Sequence, residues 1–226
     1  MTCTEQSFLK DIAEHQMIVL RDDGLYRHIR FKKPGTGCMH FDLVTWPGYL
    51  AYSGDMGCYV FTRLEDMFNF FRTDKNDWNY NRKGGLSINL GYWSEKLVAV
   101  DGQRDSGSAT EFSEEKFRRI VNDYRVRWIR DYRDTLTKEQ RRELWETVQD
   151  RVLDCLMDDK HEAMRAAHTF SEDIGGRRFE FTDFWDHNFE QFTYRFIWCC
   201  YALAWGIGQY DKAKDAQEST EAALAG

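Results

Sequence analysis

The dominant hydrophobic period of the chain changes at Ser113, and that change sets its fold class. Between Met17 and Thr62, apolar and polar residues alternate in short runs separated by turn residues, the pattern of half-buried strands. Met17–Arg21 is apolar and β-rich, and Asp22-Asp23-Gly24 turns the chain. Leu25–Lys33 alternates, with Leu25, Ile29 and Phe31 on one face and Tyr26, His28, Arg30 and Lys32 on the other. Pro34-Gly35-Thr36-Gly37 is a second turn, Met39–Trp46 a further alternating run, and Trp46-Pro47-Gly48 a third break. Tyr49–Ser53 and Cys58–Thr62 flank Gly54-Asp55-Met56-Gly57, which reads as a hairpin connection. Short strands joined by tight turns predict an antiparallel meander.

From Ser113 onward the apolar residues recur every three or four positions. Phe117, Ile120, Val121, Tyr124 and Trp128 form one stripe behind a Ser113 N-cap. Thr137 and Gln140 open a second helix carrying Leu144, Val148, Val152 and Cys155. A third is expected to start at Thr182 and Asp183 and to carry Trp185, Phe189, Phe192, Phe196, Cys199 and Leu203, with Gly206 and Gly208 weakening its end. Its apolar stretch over Ile197–Tyr201 suits a helix that runs through the core and covers the sheet. Shorter elements are a helix over Thr4–His15 capped by Thr2 and Glu5, a helix after Thr62 and Glu65, and strands over Leu86–Tyr92 and Leu97–Val100. The expected fold is α+β: an N-terminal antiparallel β-meander with short helices, packed on a C-terminal cluster of three long helices. Its regions are 1–105, β-rich; 106–211, helical and sharing the same core; and 212–226, a polar, fraying tail. Asp101–Thr110, rich in Gly, Ser and Asp, is the internal linker.

Composition narrows the function classes. The chain has 38 acidic and 31 basic side chains, so its net charge of −7 works against general nucleic-acid binding. It suits a basic protein partner or simply solubility. Aromatic residues reach 15%, and a chain that folds alone must hide most of those rings. The six cysteines show no C-x-x-C spacing, the N-terminus has no continuous apolar core, and no stretch reaches the roughly 18 apolar residues of a membrane span. A reduced, cytoplasmic protein without a membrane segment is expected.

Catalytic motifs are sparse. His161 and His168 share a helical face with Asp158 one turn earlier, and Asp183, Asp186, His187 and Glu190 form a second cluster. Thus His161, His168, Asp183 and His187 are weak metal-ligand candidates, since no H-E-x-x-H accompanies them. Ser53 lacks the G-x-S-x-G order, and Lys83-Gly84-Gly85 is no P-loop, so no cofactor or catalytic residue is assigned. Tyr26, His28, Arg30 and Lys32 form a basic and aromatic strand face, a weak nucleic-acid candidate beside its plainer reading as the solvent side of a strand. Trp78, Tyr80 and Arg82 stand in the polar run Asn76–Arg82, where large rings either tuck over a core or anchor a partner. They are the partner-binding candidates.

The segment His40–Arg72 (HFDLVTWPGYLAYSGDMGCYVFTRLEDMFNFFR) resembles uncharacterised accessory proteins of tailed phages and prophages of proteobacteria, and the resemblance extends to Leu86–Trp93 and Glu111–Arg119. It implies a setting rather than a chemistry: small phage products of this sort often blunt host defence, including CRISPR immunity. The functional expectation is a protein-binding inhibitor of a host defence complex. The alternatives are a small metal-dependent or nucleotide-processing enzyme and a nucleic-acid-binding regulator. Spare aromatic surface leaves a homodimer open.

Overall fold

The computed structural model describes residues 2–72, 85–101, 108–154 and 160–225. The chain divides into two units: Met1–Thr110 with Phe192–Gly226, and Glu111–Gln191. The second is therefore an insertion within the first.

The sheet unit holds a six-stranded antiparallel sheet whose strands lie side by side in sequence order. They are β1 (Gln16–Asp23), β2 (Tyr26–Lys32), β3 (Phe41–Trp46), β4 (Tyr49–Gly54), β5 (Gly57–Thr62) and β6 (Leu97–Val100). Pro47-Gly48 joins β3 to β4, with Gly48 at φ 84°, a conformation glycine adopts without steric cost. Strand alternation sends Ile29, Phe31, Phe41, Leu43, Leu50, Tyr52, Tyr59 and Phe61 to one face, and all are fully buried. Phe31, Phe41 and Tyr52 stack across the strands at 4.8 and 5.7 Å.

That face is covered by the long helix. The described helices of this unit are α1 (Glu5–Asp11), α2 (Met67–Phe71), α3 (Leu90–Ser94) and, after the insertion, α7 (Tyr194–Ala225). Helix α7 packs against α1, α2, α3, β1 and β3, which explains why its stretch Ile197–Tyr201 is apolar on nearly all sides. Trp198 meets Phe8 and Phe41 edge-on at 4.9 and 5.6 Å, and its Nε1 donates to Asp11 Oδ2 at 3.0 Å. A Cβ on Gly206 would lie 3.1 Å from both Leu43 and Phe31. The glycine expected to weaken the helix end instead lets the helix approach the sheet.

Several elements depart from the sequence expectations. The long helix begins at Tyr194, not at Thr182, because Asp183 turns left-handed at φ 53° and Thr193 Oγ1 accepts from Phe196 N at 3.1 Å. It then continues to Ala225 through the expected tail, whose Ala, Lys, Glu and Gln residues are strong helix formers. Leu86–Tyr92 is not a strand: Asn89 Oδ1 accepts from Tyr92 N at 3.1 Å and starts α3. Helix α1 is capped by Thr4 and Ser7 rather than by Thr2 and Glu5, and α2 by Asp66 rather than by Thr62.

The inserted unit contains α4 (Glu114–Asp131), α5 (Lys138–Val148) continued by a π turn over Gln149–Leu153, α6 (Lys160–Thr169), and a hairpin of β8 (Ser171–Ile174) with β9 (Arg177–Glu180). The expected caps form: Ser113 accepts from Lys116 N, and Thr137 and Gln140 cap each other's backbone N–H at 3.2 and 2.9 Å. Its core is a cluster of its own around Phe117, Val121, Leu144, Val148, Phe170, Phe179 and Phe184. Among the described residues the buried side chains fall into two clusters, and the helices run 18, 11 and 10 residues in the insertion against 32 for α7 in the sheet unit, so they do not form the expected C-terminal set of three long helices. Strands β7 (Thr110–Phe112) and β10 (Glu190–Phe192) pair where the chain passes into and out of the insertion.

Candidate functional site

The face of the sheet opposite the buried one stays half-buried or exposed along β2, β3, β4 and β5. Tyr26, His28, Arg30 and Lys32 all lie on it, as their alternation predicts. The register sets Arg30 beside Asp42 and Ser53, and His28 beside Val44 and Ala51. Continued to the strand ends, it lines up Tyr26, Trp46 and Tyr49 in one row. These rings are 46%, 36% and 39% exposed. Trp46 and Tyr49 stack at 5.3 Å with 15° between their planes, and the Arg21 guanidinium lies 5.2 Å from the Tyr26 ring. Trp46 and Tyr49 were missed in the sequence because they flank a Pro-Gly turn, although the Met39–Trp46 alternation already put Trp46 in phase with Asp42 and Val44.

Two of the four basic-face residues are bound internally. Arg30 donates to Asp42 Oδ1 through Nε and to Oδ2 through Nη2, both at 2.8 Å, and His28 Nε2 lies 2.8 Å from Oδ2. Burial would raise the Asp42 carboxyl, but these bonds from Arg30 and His28 outweigh it and hold the group below its usual range. The charge of Arg30 is therefore balanced within the protein. Lys32 has no carboxylate within 4.0 Å among the described residues. The partner-binding candidates Trp78, Tyr80 and Arg82 lie outside the described residues, as does Asp158.

The histidine candidates meet in the inserted unit. His161 and His168 on α6, and His187 after the 3-10 turn Phe184–Asp186, line a cleft of about 540 Å³ with Lys160, Arg165 and Trp185. Asp183 does not line it. Among the described residues, no three His, Cys, Asp or Glu side chains are grouped so as to hold a metal ion. Trp185, expected on the buried face of a helix, is 57% exposed. Its neighbour Phe184 is buried instead, a reversal produced by the left-handed turn at Asp183.

No helix among the described residues is long and apolar enough to cross a membrane. Comparison with protein-family models, with curated proteins and with solved structures finds no match.

Proposed function

We propose that this is a phage-encoded binding protein that acts in the cytoplasm of the bacterial host and inhibits a defence complex, in the manner of an anti-CRISPR, by occupying one of its protein surfaces. The row Tyr26, Trp46 and Tyr49 carries the reading. The other sheet face buries its rings completely, so large rings left in water on an open, rigid sheet mark a contact surface. Charge favours a protein partner. Asp42 balances Arg30, and residues 111–191 hold 20 acidic against 15 basic side chains, which suits a basic surface that normally receives nucleic acid. The phage setting rests on the resemblance of His40–Arg72.

The test is a plating assay on bacterial hosts that each carry one defence system, with and without the protein. Expression should restore plating of a restricted phage on at least one host. The variant Tyr26→Ala/Trp46→Ala/Tyr49→Ala should lose that effect while melting within a few degrees of the parent. Restoration on no host, or undiminished activity of the triple variant, overturns the reading.

A nucleic-acid partner is the second reading, favoured by Arg21 over the Tyr26 ring and by Lys32 on the same face. It requires a gel shift with single-stranded DNA or RNA at low salt that Tyr26→Ala and Lys32→Ala weaken.

A further inference from the structure

We propose that the cleft of the inserted unit binds a nucleoside phosphate, free or at the end of a strand. This site is separate from the sheet face and does not depend on the inhibitor reading. His161, Met164, Arg165 and His168 follow Lys160 by one, four, five and eight residues on α6, and all five line the cleft. The opposite wall runs from Trp185 through His187 to Glu190. Buried Met164 and Phe189 give it an apolar floor. Its volume of about 540 Å³ falls in the range of pockets for small organic ligands.

Two features select the ligand. The first is a flat ring surface. Trp185 stands mostly in water with the His168 imidazole 5.3 Å away, tilted by 58°. A base stacks on such a ring whatever its identity. The second is local charge. In a unit with an acidic excess, the described residues that line the cleft include Lys160, Arg165 and three imidazoles, with Glu190 the one carboxylate among them. Lys160 donates to Glu190 at 2.6 Å and Arg165 to Glu162 at 2.6 Å, both as exposed pairs. Pairs of that kind contribute little, so a phosphate exchanges for them readily. The wall is also held in place. The Tyr124 hydroxyl donates to Thr182 O at 2.6 Å, so at 3.1 Å it accepts from the Nε2–H of His187, which fixes that ring's tautomer and orientation. A base over Trp185 with its phosphate toward Lys160 and Arg165 satisfies both features at once.

Calorimetric titration of the full chain with AMP, GMP, CMP and UMP tests this. Adenosine, inorganic phosphate and a 5′-phosphorylated ten-nucleotide DNA strand are the parallel probes. At least one nucleotide, or the phosphorylated strand, should bind. The strand binding more tightly than every mononucleotide would identify a strand end as the natural source, and the reverse a free nucleotide. Trp185→Ala should weaken binding tenfold or more, and Trp185→Phe should recover most of it. Lys160→Ala/Arg165→Ala should weaken it comparably and flatten its salt dependence. All these positions are exposed, so melting temperatures should hold, and plating on defence-bearing hosts should not change. Absence of binding by every nucleotide and the strand overturns the proposal. So does binding that neither set of substitutions affects, or adenosine or phosphate binding as tightly as the nucleotide.

Discussion

Arg125 shows how far a single side chain can depart from what its sequence neighbours suggest. It sits in α4, where Arg127 and Arg130 are exposed, yet it is 1% exposed. Its guanidinium lies 3.8 Å from the centre of the Trp145 ring, donates to Trp145 O at 2.8 Å, and bonds Asn122 Oδ1. Its Nε has no hydrogen-bond partner, and no carboxylate offsets the charge among the described residues. Burial pushes its pKa down to about 10. A base whose folded pKa falls below its unfolded value destabilises the fold wherever it stays charged, and that cost is relieved as pH rises above about 10. Trp145 O also accepts from Gln149 N, so removing the guanidinium does not orphan it. Arg125→Met should therefore stabilise the protein by about 1–3 kcal/mol at pH 7. Urea denaturation should show that difference shrinking at pH 10.5. A variant that is less stable at pH 7 would mean that the stacking on Trp145 exceeds the desolvation cost.

At the scale of elements, α7 depends on the sheet it covers. Two glycines in it have opposite roles. A side chain on Gly206 would meet Phe31 and Leu43 at 3.1–3.2 Å in a close-packed interior, whereas nothing lies within 4 Å of a Cβ on Gly208. Gly206→Val should cost about 1–3 kcal/mol by overpacking. Gly208→Ala should instead add up to about 1 kcal/mol, the helix-propensity difference between the two residues. Chemical denaturation of the two variants checks both signs. The strands of the meander were readable from their alternation and turns, but their order was set only by the structure, in which each pairs with its sequence neighbour, through a short connection in every case but the last. Helix α3 was misread because Leu86, Ile88, Leu90 and Tyr92 alternate in an irregular approach and then a single helical turn, where a period of two is accidental.

At the scale of the whole molecule, one unit interrupts another. The insertion leaves and returns at neighbouring points of the sheet unit: Thr193 N donates to Ala109 O at 3.0 Å, and Thr193 Oγ1 to Ser108 O at 3.3 Å. The sheet unit also has a hydrophobic cluster of its own. A chain in which residues 111–191 are replaced by a short Gly-Ser turn should therefore fold, with strand and helix signals by circular dichroism and a cooperative thermal transition. A chain that stays unfolded would show that the sheet unit needs the insertion.

The sequence by itself determined what is local. It set the strands of the meander, the alternation that puts Tyr26, His28, Arg30 and Lys32 on one face, and the caps at Ser113 and Thr137, because each depends on residues within a few positions of one another. It did not determine which of those residues would act. Asp42 captures Arg30 and His28 only through cross-strand register, and Trp46 and Tyr49 join Tyr26 the same way. His161 and His168 meet His187 only because the β8–β9 hairpin reverses the chain between them. The left-handed turn at Asp183, which exposes Trp185 and delays α7 to Tyr194, had no local signal strong enough to outweigh an apolar stripe in helical phase. Only the tertiary structure decided these, because burial and contact between distant residues follow from how elements pack, and a period read along one segment contains no information about its neighbours.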